Sequence, residues 1–342
     1  MINISKKGNI LGIDIGTKRI SFAMIKNYGK KSEILHLSSI ETPKDAVSNG
    51  NIENFLAISE EIRRYLLTLD NKYKAIALTI GSPSVIIREL KIPKVKEKEI
   101  ENKVLEDISN SYKGITDNYE VTYKITNTDS DNMYGFVAMC PKGIYEEYMK
   151  LVQDLDGAVR YIDVSANCVC KALNVYVNLP IREGNIIVVD IGTQKSMVSI
   201  VSNDVLVLSR HVPAGGVTLD QFMVREFNMT IEEAERRKKE GYDGMFDEEE
   251  MGVVINTSYG SIQQEIQRTI SFFNQNMSTK GISKIILTGG GAKVPGIQNH
   301  FQTIFKIPTI VLSSGDFSSI KTRQIEDMSL YLPAIGAAIR EE

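Results

Sequence analysis

The tetrapeptide Asp-Ile-Gly-Thr occurs twice in the chain, at residues 14–17 and again at residues 190–193. Each copy lies between apolar runs, NILGIDI and ISFAMIKN in the first and NIIVVDI and MVSIVSNDVLVL in the second. That pattern predicts a strand, a polar turn and a returning strand. A Gly-Thr turn in such a hairpin presents backbone N–H groups and a hydroxyl at one point, which suits phosphate oxygens. The carboxylate just before the turn has another use. Mg²⁺ dehydrates reluctantly and is seldom caged by protein alone, so two aspartates flanking a polyphosphate can hold it through its water shell. Asp14 and Asp190 are the candidate metal residues. One copy alone fits an ordinary hairpin turn, where Asp, Gly and Thr are favoured anyway. Two copies in the same context point to paired phosphate loops.

Other nucleotide signatures are absent: no Gly-x-x-x-x-Gly-Lys-Ser/Thr occurs, and no Gly-x-Gly-x-x-Gly follows a strand. Gly289, Gly290 and Gly291 follow the apolar strand KIILT and offer backbone without side chains to a flat ring or a sugar. The same triplet alone also reads as a flexible turn. In MTIEEAERRKKEGY, Thr230 and Glu233 form a capping-box signature and Gly241 a helix stop. Glu235 and Lys238 on that helix stand three apart and can point the same way, although most such pairs are solvated salt bridges. His36, His211 and His300 have no metal-ligand spacing and are expected to be structural or exposed.

Two hairpins of one kind imply two related domains on one plan. Between them RELKIPKV reads as a strand. KEKEIENKVLEDISNSY reads as a helix with Ile100, Val104 and Ile108 on one face. YEVTYKIT and YGFVAMC read as paired strands, and KGIYEEYMKLVQDL as a second helix. This βαββα insert runs from about residue 82 to about residue 156, carried by the first domain. Beyond the second hairpin, residues 248–280 predict one long helix. KIILTGGGAKVPGI predicts strand, glycine turn and helix start, and LYLPAIGAAIREE a short final helix.

A length of 342 residues fits two domains with subdomains. Forty basic against 43 acidic side chains leave a net charge of −3, so electrostatic capture of nucleic acid is not expected. The three cysteines, Cys140, Cys168 and Cys170, are too few and too uneven for a disulfide framework or a zinc site, which fits a reducing cytoplasm. The N-terminus lacks a signal-peptide apolar core, and no segment approaches the roughly 20 apolar residues of a membrane span.

In the order first hairpin motif, insert, second hairpin motif, Pro-x-Gly-Gly, AExxK, LTGGGxxxPG and PAIGAA helix, the chain resembles the actin-like ATPase superfamily over nearly its whole length. Within that superfamily it resembles the PilM branch, cytoplasmic proteins of type IV pilus machines related to FtsA. The stretches SPSVIIRELKIP and VPAGGVTLDQFMVREFNMTIEEAERRKKEG support this branch. The resemblance implies an α/β, actin-like (ribonuclease H-like) duplicated fold with an α+β insert. Its first domain would comprise residues 1–81 and 157–183, with the insert at 82–156. The second domain would comprise 184–215 and 285–342, with a subdomain at 216–284 and the last helix returning toward the first domain.

By the same resemblance the ligand would be ATP with Mg²⁺. Gly16, Thr17 and Lys18 would line one phosphate loop and Gly192, Thr193 and Gln194 the other. Gly215 and Gly216 would approach the phosphates, Glu235 and Lys238 would reach the ribose or adenine, and Gly289, Gly290 and Gly291 would pack on the nucleoside. Relatives often carry an acidic residue where this chain has Ser165, so slow or absent hydrolysis is expected, with Asp163 as the substitute candidate. The chain ends at Arg340-Glu341-Glu342 without the basic amphipathic helix of FtsA. A location at the inner face of the membrane would then need a partner, for which the resemblance implies the cytoplasmic N-terminal tail of a PilN-like membrane protein, lying beside the insert. Rival readings are an FtsA-like filament protein, a small-molecule kinase of the superfamily, and a relative that has kept the fold and lost the nucleotide.

Overall fold

The computed structural model describes residues 7–28, 31–69, 72–155, 160–177, 184–242, 244–276, 281–317 and 327–339. Residues 277–280 of the expected long helix and the terminal residues 340–342 lie outside the described residues.

The first half opens with an antiparallel meander, β1 (Lys7–Ile15), β2 (Arg19–Tyr28) and β3 (Lys31–Glu41). A small hairpin, β4 (Val47–Ser48) and β5 (Asn51–Ile52), leads to α1 (Phe55–Leu66) and then to β6 (Ala75–Ile80), parallel to β1. After an excursion through β7 (Ile86–Pro93), α2 (Ile100–Ser111), α3 (Ile115–Asn118), β8 (Tyr119–Thr128), β9 (Asn132–Pro141) and α4 (Lys142–Asp154), the chain returns. It returns as β10 (Arg160–Val164), parallel to β6, followed by α5 (Ser165–Tyr176). The second half repeats the plan with β11 (Asn185–Ile191), β12 (Ser196–Ser202) and β13 (Val205–Val212). Three helices follow, α6 (Gly216–Phe227), α7 (Ile231–Glu240) and α8 (Glu248–Asn276). Then come β14 (Ile282–Thr288), α9 (Ile297–Phe305), β15 (Thr309–Val311) and α10 (Leu332–Ala338).

The order β10-β6-β1-β2-β3 of the first sheet reappears as β15-β14-β11-β12-β13 in the second. The directions match too, with parallel neighbours on one side of the central strand and an antiparallel meander on the other. Central strands β1 and β11 carry near-continuous apolar runs because both of their faces are covered. The two Asp-Ile-Gly-Thr turns therefore sit at equivalent sheet ends.

The last helix belongs to the first core: Leu332, Ala334, Ile335, Ala337 and Ala338 are buried against it, between β1 and α5. Its small residues have a steric reason. A methyl on Gly12 of β1 would collide with the Ala334 carbonyl, and one on Gly336 would collide with the Cys168 carbonyl of α5. Backbones approach this closely only where side chains are missing.

The insert is held by both halves. Its sheet, β7-β9-β8, has its own small core from Leu90, Ile92, Val104, Ile108, Val137 and Met139. The helix α4 buries Tyr148, Leu151 and Val152 in the first-half core. In turn β7 pairs with β13 through Ser209 and Ile87, so the insert strands extend the second sheet to eight. An otherwise open edge of β13 gains a neighbour in this way. The long helix α8 breaks its regularity at Tyr259 (φ −113°, ψ 16°), beside Gly260 and Ser261, as kinks commonly do at Gly/Ser pairs.

Candidate functional site

The two hairpin turns have the same internal geometry. In the first, the Gly16 N–H donates to the Arg19 carbonyl at 2.9 Å; in the second, the Gly192 N–H donates to the Lys195 carbonyl at 3.0 Å. Ile15 pairs with Ile20 and Ile191 with Ser196, so each turn spans four residues. Among the described residues no backbone hydrogen bond uses the N–H groups of Thr17, Lys18, Thr193 or Gln194, which remain available to an acceptor.

Both turns open into one cleft of about 790 Å³ between the halves. Asp14, Gly16, Thr17 and Lys18 line one wall; Asp190, Gly192, Thr193 and Gln194 line the other, with Gly216, Glu235, Lys238 and Gly289, Gly290 and Gly291 around them. The strands β1 and β11 each place their aspartate two residues before the loop glycine, at equivalent sheet ends. A carboxylate oxygen of Asp14 accepts a hydrogen bond from the Thr79 hydroxyl. Asp190 packs so tightly beneath Gly289 (φ +83°) that a side chain there would collide with its carboxylate. Burial raises the Asp14 carboxyl, a shift opposed by the Thr79 hydrogen bond, Lys195 and Arg19. Burial and then the charge of Asp14 push Asp190 up to about 6. The two carboxylates thus feel one another, and a cation between them would relieve that repulsion. Among the described residues no three His, Cys, Asp or Glu side chains gather into a metal cage. The donor set suits an ion held by two carboxylates, water and a polyphosphate.

Two of the expected residues lie outside the lining of the cleft. Asp163 does not line the cleft: it accepts from the Val164 N–H and from Asn167, and it pairs with Lys171 at 2.8 Å. It lies two residues ahead of α5 and is held by that helix's Asn167 and Lys171, while Ser165 lines the cleft. Gly215 also stays out of the lining, packed on the Gly192 and Thr193 backbone. The Gly216 and Val217 N–H groups donate to the Gly192 and Thr193 carbonyls at 2.8 Å each, so this helix start holds the loop instead of reaching phosphate itself. Glu235 and Lys238 line the cleft with separate partners. Glu235 pairs with Lys18 across it, while Lys238 pairs with the buried Asp220 at 2.5 Å and donates to the Gly216 carbonyl at 3.2 Å.

Sequence reasoning missed other wall residues. Arg19 donates to the Leu330 carbonyl at 2.6 Å and stacks over Tyr331, fixing the segment that carries the chain into α10. Lys293 pairs with Asp327 at 2.6 Å in the same segment. Lys195 donates to the Gly81 and Asn49 carbonyls across the cleft. Burial lowers its ammonium to about 8, opposed by Asp14 and Asp190. His211 has its Nδ1 buried and unpartnered, and burial, then Lys195, pushes the ring down to about 4. A signal existed for two of these residues. A basic residue stands five places after the aspartate in both motifs, Arg19 after Asp14 and Lys195 after Asp190.

This architecture, two equivalent halves around a cleft, is shared with solved structures. A structure titled PilM-PilN type IV pilus biogenesis complex superposes with a TM-score of 0.79 at 18% identity, covering 96% of this chain and 97% of that one. EutJ, the ethanolamine utilization protein from Carboxydothermus hydrogenoformans, gives 0.56 at 15% identity, with 98% and 90% covered. MreB5 of Spiroplasma citri, bound to ADP, gives 0.55 at 14% identity, with 97% and 95% covered. The fold is actin-like. The sequence model of the type IV pilus assembly protein PilM matches residues 12–342, from within β1 to the last residue. A match of that extent, on a duplicated actin-like frame with an insert ahead of the second hairpin, means that the chain belongs to the PilM family of type IV pilus assembly proteins.

Proposed function

We propose that the chain is a nucleotide-switched scaffold of type IV pilus assembly, which takes ATP with Mg²⁺ in its cleft and binds the N-terminal tail of a PilN-like membrane protein. The single observation that carries the nucleotide part is the convergence of both hairpin turns and both aspartates on one cleft. The free N–H groups of Thr17, Lys18, Thr193 and Gln194 would receive phosphate oxygens, and the Thr17 and Thr193 hydroxyls lie beside them. Asp14 and Asp190 would hold Mg²⁺ through water, where the ion supplies charge neutralisation for the phosphates. Gly289, Gly290 and Gly291 leave room for the nucleoside. The solved MreB5 carries ADP, in line with this reading.

Slow or absent hydrolysis follows from the same wall. Asp163 is committed to Asn167 and Lys171, and Ser165 offers a hydroxyl where a base would need a carboxylate. The tail-binding part rests on family membership and on the likeness to the PilM-PilN complex. Among the described residues no helix is long and apolar enough to cross a membrane, so a bitopic partner would supply the anchor at the inner face of the cell membrane. The insert is the natural relay, because α4 packs in the first half and β7 pairs with the second. Domain closure would then shift the surface beside the insert.

Isothermal calorimetry tests both parts. ATP with Mg²⁺ should bind the chain, and saturation with a synthetic partner-tail peptide should change that affinity on the order of 10-fold. The same factor must appear when the tail is titrated with ATP present, since coupling is reciprocal. Absence of ATP binding removes the nucleotide reading, and equal affinities with and without the peptide remove the switch.

A further inference from the structure

Lys195 stands at the fourth position of the second hairpin turn, yet its ammonium lies on the far wall, donating to the Gly81 carbonyl and, at 3.1 Å, to the Asn49 carbonyl. Those residues belong to the first half, at the end of β6 and in the turn between β4 and β5. The landing place is shaped for it. Gly50, with φ +80°, leaves open the space in which any Cβ would collide with the Lys195 ammonium, and Gly81 has its Cα face toward the same nitrogen. The neighbouring Gln194 reinforces the crossing, its Oε1 accepting from the Asn49 N–H at 2.9 Å and from the Thr17 hydroxyl at 3.3 Å. In this glycine socket Lys195 lines the same cleft as Asp14 and Asp190, so its positive charge opposes the upward shift that burial gives both carboxyls. Its sign is that of the divalent ion those carboxylates would otherwise need.

We propose that Lys195 is a resident cation of the cleft, which takes over part of the charge neutralisation of Mg²⁺ and makes nucleotide binding by this chain only weakly dependent on a divalent metal. The proposal rests on the nucleotide reading of the cleft and deepens it. A fixed positive charge near both aspartates competes with a free divalent cation for them, since like charges repel at short range. The same charge attracts the phosphate tail that spans the two turns, as lysine does in other phosphate-binding loops. In the chain as it stands the metal is therefore held less tightly, and ATP without metal more tightly, than in a chain with a neutral residue here.

Two titrations on wild type, Lys195→Gln and Lys195→Met test this. The first uses Mn²⁺ alone, followed by its electron paramagnetic resonance signal. Both lysine variants should bind Mn²⁺ about 10-fold more tightly than wild type. The second is calorimetry of ATP with Mg²⁺ and with a chelator. Wild type should lose only a few-fold on chelation and the lysine variants about 10-fold more than that. Unchanged Mn²⁺ affinity in the lysine variants, or an equal loss on chelation in wild type and variants, overturns the proposal. If wild type binds no ATP under either condition, the nucleotide reading fails instead. The Mn²⁺ titration contains no nucleotide and still decides the role of Lys195.

Discussion

At the scale of single residues the cleft gathers charges that the fold would otherwise avoid. Asp14, Asp190, Lys195 and His211 all have their ionisation shifted first by burial, and such clusters mark functional sites more often than structural ones. His211 gives a pH test of the folded molecule. Its ring is lowered from 6.5 to about 4, so the unfolded chain takes up the proton first as pH falls. Stability contributed by the neutral ring is complete above about pH 6.5 and drains away toward pH 4. Asp190, with its raised carboxyl, acts in the opposite sense in an overlapping range. The informative quantity is therefore the difference between wild type and His211→Gln in thermal or urea denaturation. Between pH 7 and pH 4.5 wild type should lose on the order of 2 kcal/mol more than the variant. Parallel pH profiles would show that the ring is not held neutral. Of the site residues, the motif positions were legible because Asp-Ile-Gly-Thr appears twice, whereas the direction of Asp163 was not. An aspartate just ahead of a helix can face a cleft or turn toward that helix's own side chains, and only the packing of Lys171 and Asn167 decides.

Elements were readable where one face alone is buried or where an apolar run is unbroken. The insert helix α2 shows Ile100, Val104 and Ile108 on one face, all buried, and the hydroxyl of Thr230 caps α7 by accepting from the Glu233 N–H at 3.2 Å. Joints between elements were not readable. The bridge between β13 and β7 rests on a single register pair, and the kink in α8 at Tyr259 accompanies a buried hydroxyl bonded to the Gly291 carbonyl. The glycine of α10, Gly336, carries an element-scale prediction. Helix propensity alone would make Gly336→Ala stabilising by about 1 kcal/mol. The collision with the Cys168 backbone carbonyl reverses the sign, because backbone cannot swing aside as a side chain can. Gly336→Ala should cost about 3 kcal/mol in chemical denaturation. Gly143→Ala in α4, where a methyl meets open space, should instead gain roughly 0.5 kcal/mol. Equal effects at the two positions would contradict the packing of α10 between β1 and α5.

For the molecule as a whole, duplication explains why one short motif serves twice. Two copies of the same sheet, β10-β6-β1-β2-β3 and β15-β14-β11-β12-β13, bring the same sheet end, and so the same turn, to a shared crevice from opposite sides. Lys18 reaching Glu235, Lys195 reaching Gly81, and α10 returning to the first core tie the halves together around it. The central claim is that one magnesium nucleotide is gripped by both turns at once. The most direct measurement is a crystal structure with a non-hydrolysable ATP analogue and Mn²⁺, the metal being located by its anomalous signal. The account predicts the triphosphate between Thr17–Lys18 and Thr193–Gln194, with the metal's water shell touching Asp14 and Asp190. A nucleotide bound elsewhere, or contacting only one of the two turns, would contradict it.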